Sequence, residues 1–531
     1  MTDMYEKKYN HVLEIIEKKL IPDDQAKKAR GEVFTKLSLV REMILGIRKS
    51  AIEKGMIEIW GMDKEEHFIE EDEEDRVGGV PLQTLRDADM KWFDPANGIG
   101  NFPVVLFYIL DYQLGHHGKK EWIGDIHKSK RQKHIIENML YMVEINKGNV
   151  NTCVKIFSLI SPESIPNICC ADTMKLTDES LITLFGVNRF DIVIGNPPFN
   201  TGGTKHHGDR GYYTRFIEYG FNILNEHGFL IFVNPPNYHR IEKDKDKPTK
   251  GAVFKDLFNN NNLIFLRIIS DTKLYFNVQI LIDYYILQKG INQKNATIVD
   301  KQNVLSEQFD ISKFKTVPNY GFNVIKQLEI LRESLGPFKA KYGRGSETHA
   351  SRKELFKEGI YPILHTITED GINIFISNKK HTYQDTRKVI INGLGVPYVF
   401  YDRVFDKETE LYHGKYGVTQ LAIYVLRPTN KERIFLFSKL FQYLIWAYRI
   451  QGNNNDMFLF EILPDLNKLD FKDEKTMLES FDFSDKEIKK IMSYTIPLFK
   501  TKEITNSNKE NKTKKSVPKS NKKQTKKQKT K

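Results

Sequence analysis

Asn196-Pro197-Pro198-Phe199 is the stretch with the most specific chemistry in the chain. Each proline fixes its own φ and pushes the residue before it into an extended shape. The Asn196 side-chain oxygen and the Pro197 carbonyl can then be held as two acceptors facing one point, with the Phe199 ring beside them. Two acceptors and a stacking ring suit a planar group that carries an exocyclic NH2. Taken alone, the same residues are a proline-rich turn after a core strand. Three acids, Asp94, Glu144 and Asp172, stand in comparable places, each at the end of a short apolar run. Asp94 opens the stretch Asp94 to Phe102, whose glycines let a ligand approach the backbone ahead of a helix N-terminus. That stretch lacks Gly-x-Gly-x-x-Gly, and no Gly-Lys-Ser/Thr follows it, which disfavours a phosphate. An acid at the strand end suits a ligand with an ammonium group, and Glu144 is placed to accept both hydroxyls of a ribose.

Strands must carry these residues. Phe190 to Gly195 reads as a buried strand stopped by the glycine and the proline pair. Met90–Phe93, Tyr141–Ile145 and Ile168–Asp172 read as strands too, with helical segments between them, among them an apolar helix from Pro103 to Leu110. Four successive strands would then end in Asp94, Glu144, Asp172 and Asn196 at one edge of a parallel sheet, where open α/β sheets place their ligands. A single strand-terminal acid is often a helix cap; four in order form a constellation. A fifth strand, Gly228–Val233, ends at Asn234-Pro235-Pro236, and strands at 263–270 and 279–287 complete the sheet by residue 290. Ahead of the sheet, residues 5–20 have a helical period, and Thr35 is placed to cap an amphipathic helix containing Leu39, Val40, Met43, Ile44 and Ile47. The acidic run Glu70–Asp75 reads as a solvated loop. Residues 113–133 read as a basic, exposed excursion. His116, His117, His127 and His134 do not make a metal set, and no metal is expected.

The net charge of +12 is concentrated at one end of the chain. Residues 506–531 hold eleven Lys and one Glu, or +10, which leaves 12 − 10 = +2 for the rest. This Lys/Asn/Gln/Ser/Thr tail has no aromatic residue and is expected to be disordered, serving either as a nonspecific nucleic-acid contact or nuclear address, or simply as a solubilising tail. Three cysteines, Cys153, Cys169 and Cys170, provide neither a disulfide framework nor zinc spacing. The charged N-terminus lacks a signal-peptide core, and the longest apolar run, Ile434–Tyr448, is broken by Ser438, Lys439 and Gln442. An intracellular protein without a membrane anchor is expected. Residues 291–500 mix helical and strand-like runs. Lys341–Thr348, Lys379-Lys380, Arg387-Lys388 and Tyr398–Arg403 set cations beside aromatic residues, as surfaces that grip a phosphate backbone do. Individually, most of these lysines read equally well as solvated.

Together these motifs resemble the S-adenosylmethionine-dependent N6-adenine DNA methyltransferases of restriction–modification systems, in the order cofactor motifs, catalytic loop, target-recognition domain. Gly31-Glu32-Val33-Phe34-Thr35 resembles the N-terminal cofactor motif, and Asp94–Phe102 resembles Asp-Pro-Ala-Cys-Gly-x-Gly-x-Phe, with Asn97 where Cys is usual. Glu144 and Asp172 match the ribose-binding and adenine-binding acids, although the spacing from Asp94 to Glu144 is long and Met142 stands where a small residue is common. Asn196–Phe199 matches the catalytic motif, and Gly228–Pro235 and Tyr275–Val278 match later strand motifs. The resemblance implies a Rossmann-like class I methyltransferase sheet in residues 1–290 and a mixed α+β target-recognition domain in 291–500, to which composition adds a disordered Lys-rich tail in 501–531. It implies catalysis by Asn196, Pro197, Pro198 and Phe199, and S-adenosylmethionine bound by Phe34, Thr35, Asp94, Pro95, Ala96, Gly98, Gly100, Glu144, Ile145, Asp172 and Asn196. It further implies double-stranded DNA as the partner, a monomer, and room for a cognate restriction endonuclease on a separate chain; a fused nuclease is not expected, because only about 30 residues precede the first cofactor motif and no nuclease carboxylate cluster stands out. N4-cytosine, RNA adenine and a protein glutamine amide present similar NH2 groups and stay open. So does a DNA-binding module that keeps a decayed methyltransferase fold.

Overall fold

The alternation of short apolar runs with amphipathic segments folds as a doubly wound sheet. A computed structural model describes Val12 and residues 35–494, apart from 65–66, 200–211, 237–256, 259, 270–271, 273–274, 276–280, 292, 315, 343–359, 369–370, 378, 394–395, 419–421 and 450–457. Phe34, the helix expected at 5–20 (Val12 apart), the stretch Phe276–Val278 and the Lys-rich tail lie outside the described residues.

Nine strands form the central sheet: β1 (Trp92–Asp94), β2 (Leu140–Glu144), β3 (Asn167–Cys170), β4 (Phe190–Gly195), β5 (Leu224–Asn234), β6 (Asn262–Ile268), β7 (Asp283–Gln288), β8 (Ala296–Val299) and β9 (Leu305–Phe309). Their spatial order is β9-β8-β6-β7-β5-β4-β1-β2-β3. β7 runs antiparallel between β5 and β6, and β9 antiparallel to β8; all other pairs are parallel. The sequence reading ended the sheet at residue 290, but β8 and β9 continue it beyond β6. They escaped notice because each is only four or five residues long and set among polar residues.

Helices cover both faces: α1 (Leu37–Leu45), α2 (Asn101–His117), α3 (Lys147–Ile160), α4 (Asp178–Phe185) and α5 (Tyr212–Asn222). Strands covered on both faces read as continuous apolar runs, because alternate side chains enter two different cores. Trp92, Met142, Ile192, Ile194, Ile231 and Val233 join α1 and α2 in one core. Phe93, Val143, Val193, Leu230 and Phe232 join Tyr213, Phe216 and Ile217 of α5 in the other. That second core continues without a break into Val389, Val425, Leu440, Tyr443 and Phe460, so the C-terminal part is built onto one face of the sheet.

Three local readings need correction. The acidic run is only partly solvated: Glu71 is largely buried against Arg48, and Asp75 accepts from the Ser50 backbone N–H at 2.7 Å and from its hydroxyl at 3.0 Å. The 113–133 excursion is pinned by Arg131, which is buried, lies under Gly115 and donates to Asp111 Oδ1 at 2.6 Å. Lys388 cannot grip a phosphate. Its side chain is 0% exposed and donates to Asp402 Oδ2 at 2.7 Å, and to the carbonyls of Tyr383, Gln384 and Thr386.

The C-terminal part is mixed α+β. Lys341–Tyr342, Ala422–Leu426, Lys388–Asn392 and Val399–Asp402 form a four-stranded sheet, and the hairpin Tyr361–Thr368/Gly371–Ser377 pairs with Gly417–Val418. Helices Asn430–Leu436, Lys439–Ala447, Glu474–Ser480 and Asp485–Ser493 follow. Among the described residues no helix is long and apolar enough to cross a membrane.

Candidate active site

The strand order reverses between β1 and β4, so the connections leaving their carboxyl ends go to opposite sides and open a crevice. Asp94 ends β1 on one side of it, and Asn196 follows β4 on the other. In register, Phe93 pairs with Val193 and Glu144 with Cys170. Asp172, Glu144, Asp94 and Asn196 therefore fall in that order along one edge, a span of about 15 Å at the usual strand spacing.

The acid of β2 braces the loop that leaves β1. Glu144 Oε2 accepts from the Gly98 N–H at 2.8 Å, and its Oε1 accepts from the Asn146 N–H at 2.7 Å. Asp94 Oδ1 accepts from the Ala96 N–H at 3.0 Å. Gly98 and Gly100 both have φ in the left-handed region, at 59° and 103°, and a Cβ on Gly100 would lie 2.9 Å from Cys153 Sγ. Cys153 in turn sits 3.9 Å from Met142 Sδ, so the sulfur atoms of α3 and β2 floor this turn. Thr173 Oγ1 donates to the Pro95 carbonyl at 2.5 Å and ties the end of β3 to the same loop. Asp172 caps the short turn that follows it, accepting from the Met174 N–H at 3.1 Å. Ile145 is 62% exposed, on the rim.

Thr35 does not cap α1; Lys36 is the N-cap and makes no side-chain bond. Instead the Thr35 hydroxyl accepts from Asn196 Nδ2 at 3.0 Å, and the Thr35 carbonyl accepts from Asn101 Nδ2 at 2.6 Å. With its nitrogen committed to Thr35, the Asn196 amide turns its oxygen the other way. Thr35 is itself held by the seating of α1. Glu42 on that helix is buried and accepts from Tyr275 Oη at 2.8 Å and Tyr284 Oη at 3.1 Å, with Arg267 Nε 3.4 Å away. Pro197 is buried, Pro198 and Phe199 are half-buried, and Phe199 packs against both cores. Gly195 allows the two loops to meet, because a Cβ there would lie 2.8 Å from Asp94 Oδ1.

The electrostatics favour a cationic ligand. Burial, reinforced by the neighbouring Glu144 charge and opposed by the Ala96 N–H, pushes the Asp94 carboxyl up to about 8. Asp94 Oδ2, Asn97 Oδ1 and Asn101 Oδ1 are buried acceptors that find no donor among the described residues. Three such oxygens in one eight-residue loop suit a ligand group that brings several N–H donors, as an ammonium does. Among the described residues no group of three His, Cys, Asp or Glu is placed to hold a metal ion.

Sequence reasoning missed Asn101 and Thr173. Asn101 lies within the quoted Asp94–Phe102 stretch, and a polar residue opening an otherwise apolar helix was the available signal. Thr173 leaves no sequence signal, because its partner is a backbone carbonyl 78 residues away.

The five strands β3-β2-β1-β4-β5, continued by a reversed β7 and then β6, define a Rossmann-like class I methyltransferase fold. Residues 123–275, less than a third of the chain, match the family model described as Eco57I restriction-modification methylase. The matched segment contains Glu144, Asp172 and Asn196–Phe199. No curated protein matches the chain. Among solved structures, the chain is similar to the Type IIL restriction-modification enzyme MmeI in complex with DNA, at 12% identity over 86% of this chain and 71% of that one, with a TM-score of 0.45. It is similar to a nuclease-deletion mutant of the Type ISP restriction-modification enzyme LlaGI in complex with a DNA substrate mimic, at 13% identity, 80% and 45% coverage and a TM-score of 0.42. Similarity to the Type I restriction enzyme EcoKI M protein is 17% in identity, with 41% and 46% coverage and a TM-score of 0.32. The chain thus spans less than half the length of the EcoKI M protein it matches.

Proposed function

We propose that this chain methylates the N6 amino group of adenine within a specific double-stranded DNA sequence, using S-adenosylmethionine. The observation that carries the reading is the pair of interlocked loops at the β1/β4 crevice. One presents three donor-seeking buried oxygens, and the other holds an asparagine amide with its nitrogen already engaged by Thr35. Asp94, Asn97 and Asn101 would hold the cofactor's amino-acid end, Glu144 its ribose and Asp172 its adenine. When bound, S-adenosylmethionine supplies a methyl group on an electron-poor sulfonium.

Adenine N6 is a weak nucleophile because its lone pair is conjugated with the ring. In this reading Asn196 Oδ1 and the Pro197 carbonyl accept its two hydrogens and favour a pyramidal nitrogen. Held in this way, the N6 lone pair would be free to take up that methyl group, and its surplus proton would leave to water. Holding both reactants in near-attack geometry supplies much of the acceleration. The target base must leave the duplex at a cost of about a few kcal/mol, and Phe199 stacks on it. The match to a restriction-modification methylase model favours DNA as the substrate. So do cation–aromatic pairs in the C-terminal part, such as Arg403 over Tyr412 at 3.9 Å and Arg433 over Tyr401 at 5.2 Å.

The test is incubation with labelled S-adenosylmethionine and unmethylated duplex DNA, then nucleoside digestion and mass spectrometry. N6-methyladenine from the wild type, and none from Asn196→Ala while that variant still binds S-adenosylhomocysteine, is the expected result. Methyl groups found only on cytosine N4, RNA or protein glutamine would overturn the adenine-in-DNA assignment.

A further inference from the structure

The relay through Thr35 begins at Asn101, the first residue of α2. This side chain is 4% exposed and does two jobs at once. Its Nδ2 donates to the Thr35 carbonyl at 2.6 Å, while its Oδ1 is buried and finds no donor among the described residues. Thr35 passes the constraint on, because its hydroxyl accepts from Asn196 Nδ2 at 3.0 Å. Three residues from three distant parts of the chain thus form one line from the cradle to the catalytic amide. An amide plane is rigid, so a donor arriving at Asn101 Oδ1 fixes the direction of Nδ2 as well. Without that donor, the bond from Nδ2 to the Thr35 carbonyl alone fixes the amide.

We propose that Asn101 is a positioning residue through which occupancy of the cofactor cradle sets the orientation of the Asn196 amide, by way of Thr35. The inference rests on the methyltransferase reading and assigns Asn101 and Thr35 to the timing of the catalytic loop. The amide is aligned to receive a target amino group when the methyl donor is present, and loosened when the cradle empties.

The two jobs of Asn101 can be separated. Asn101→Asp keeps an acceptor toward the cradle and loses the donor toward the Thr35 carbonyl; Thr35→Val loses only the hydroxyl, and Thr35→Ser returns it. S-adenosylhomocysteine affinity is measured by calorimetry, and turnover on unmethylated genomic DNA fragments at saturating S-adenosylmethionine. With the donor saturating, so that any change in affinity is compensated, Asn101→Asp and Thr35→Val are each expected to lower turnover by on the order of ten-fold or more, the effect of one lost buried hydrogen bond. Thr35→Ser restores turnover, and the Asn101→Asp/Thr35→Val double variant falls no further than either single one, because both cut the same line. Wild-type turnover in Asn101→Asp, or additive losses in the double variant, would overturn the relay. Should Asn101→Asp fail to fold, Thr35→Val against Thr35→Ser decides alone, and equal turnover of the two overturns it. Failure of the wild type to bind S-adenosylhomocysteine at all would instead refute the methyltransferase reading.

Discussion

Gly195→Ala tests whether the two loops of the site truly interlock. Gly195 is extended strand, so alanine adds no backbone strain and the whole effect comes from one methyl group. That methyl would sit 2.8 Å from Asp94 Oδ1, 3.4 Å from Asp94 Cγ and 3.7 Å from Pro95 Cδ. Carbon–oxygen contacts ordinarily begin near 3.3 Å, so the carboxylate must retreat by about 0.5 Å. It has little room to do so, because the same Oδ1 already accepts from the Ala96 N–H at 3.0 Å. The retreat breaks or bends that bond, and once Asp94 is ionised against a cationic ligand, a hydrogen bond to a charged group contributes ~1.5–3 kcal/mol. Asp94 would then hold a cationic ligand about 10- to 150-fold less tightly. Calorimetry with S-adenosylhomocysteine measures the loss, and thermal unfolding should show a small parallel destabilisation. Affinity within two-fold of the wild type, with an unchanged unfolding temperature, would refute the interlock.

Glu144→Gln leaves one acceptor oxygen where Gly98 and Asn146 both need one. Cofactor affinity should fall by about 5- to 150-fold, the cost of one unsatisfied buried N–H, with an intact fold by circular dichroism. Asp94 gives the site a pH signature. Its carboxyl is raised to about 8 in the folded chain and ordinary in the unfolded one, so the folded state holds an extra proton between about pH 4 and pH 8. Stability of the ligand-free protein should therefore fall as pH rises through that window and level off above it. Affinity for a cationic ligand should rise toward pH 8 with proton release, and Asp94→Asn should flatten both curves in calorimetry across several buffers. Lys388→Met strands Asp402, which would keep the backbone N–H groups of Lys415 and Tyr416 but lose its cation. Denaturant unfolding should report a loss of about 3–5 kcal/mol, as for other broken buried pairs, and a loss below ~1 kcal/mol would contradict the burial of that pair.

How much was legible in the sequence follows the range of each interaction. The strands β1, β2 and β4 and the second half of β5 were legible because burial on both faces makes such runs nearly free of polar residues, whereas the partly buried edge strand β3 was legible only from its short Ile-Cys-Cys run. Asn196-Pro197-Pro198-Phe199 was legible because proline chemistry is local. The edge acids were legible by repetition. Lys388 was misread because a lysine beside an arginine looks solvated until a carboxylate 14 residues later is folded onto it. Glu71 and Arg131 were misjudged in the same way.

By itself the sequence determined the strand-ending acids, the proline-stiffened Asn196–Phe199 loop, the glycines of the Asp94–Phe102 turn and the alternation that makes an α/β sheet, since all of these depend on neighbours in the chain. Tertiary structure decided the rest. Gly195 faces Asp94 across 101 residues, and Thr35 reaches Asn196 across 161. Glu144 turns back to brace Gly98. Parallel pairing makes the Gly195 and Glu144 contacts by bringing strand ends far apart in the chain to one edge, and the seating of α1 brings Thr35 to the same place; both depend on distance in space, which spacing in the sequence does not encode.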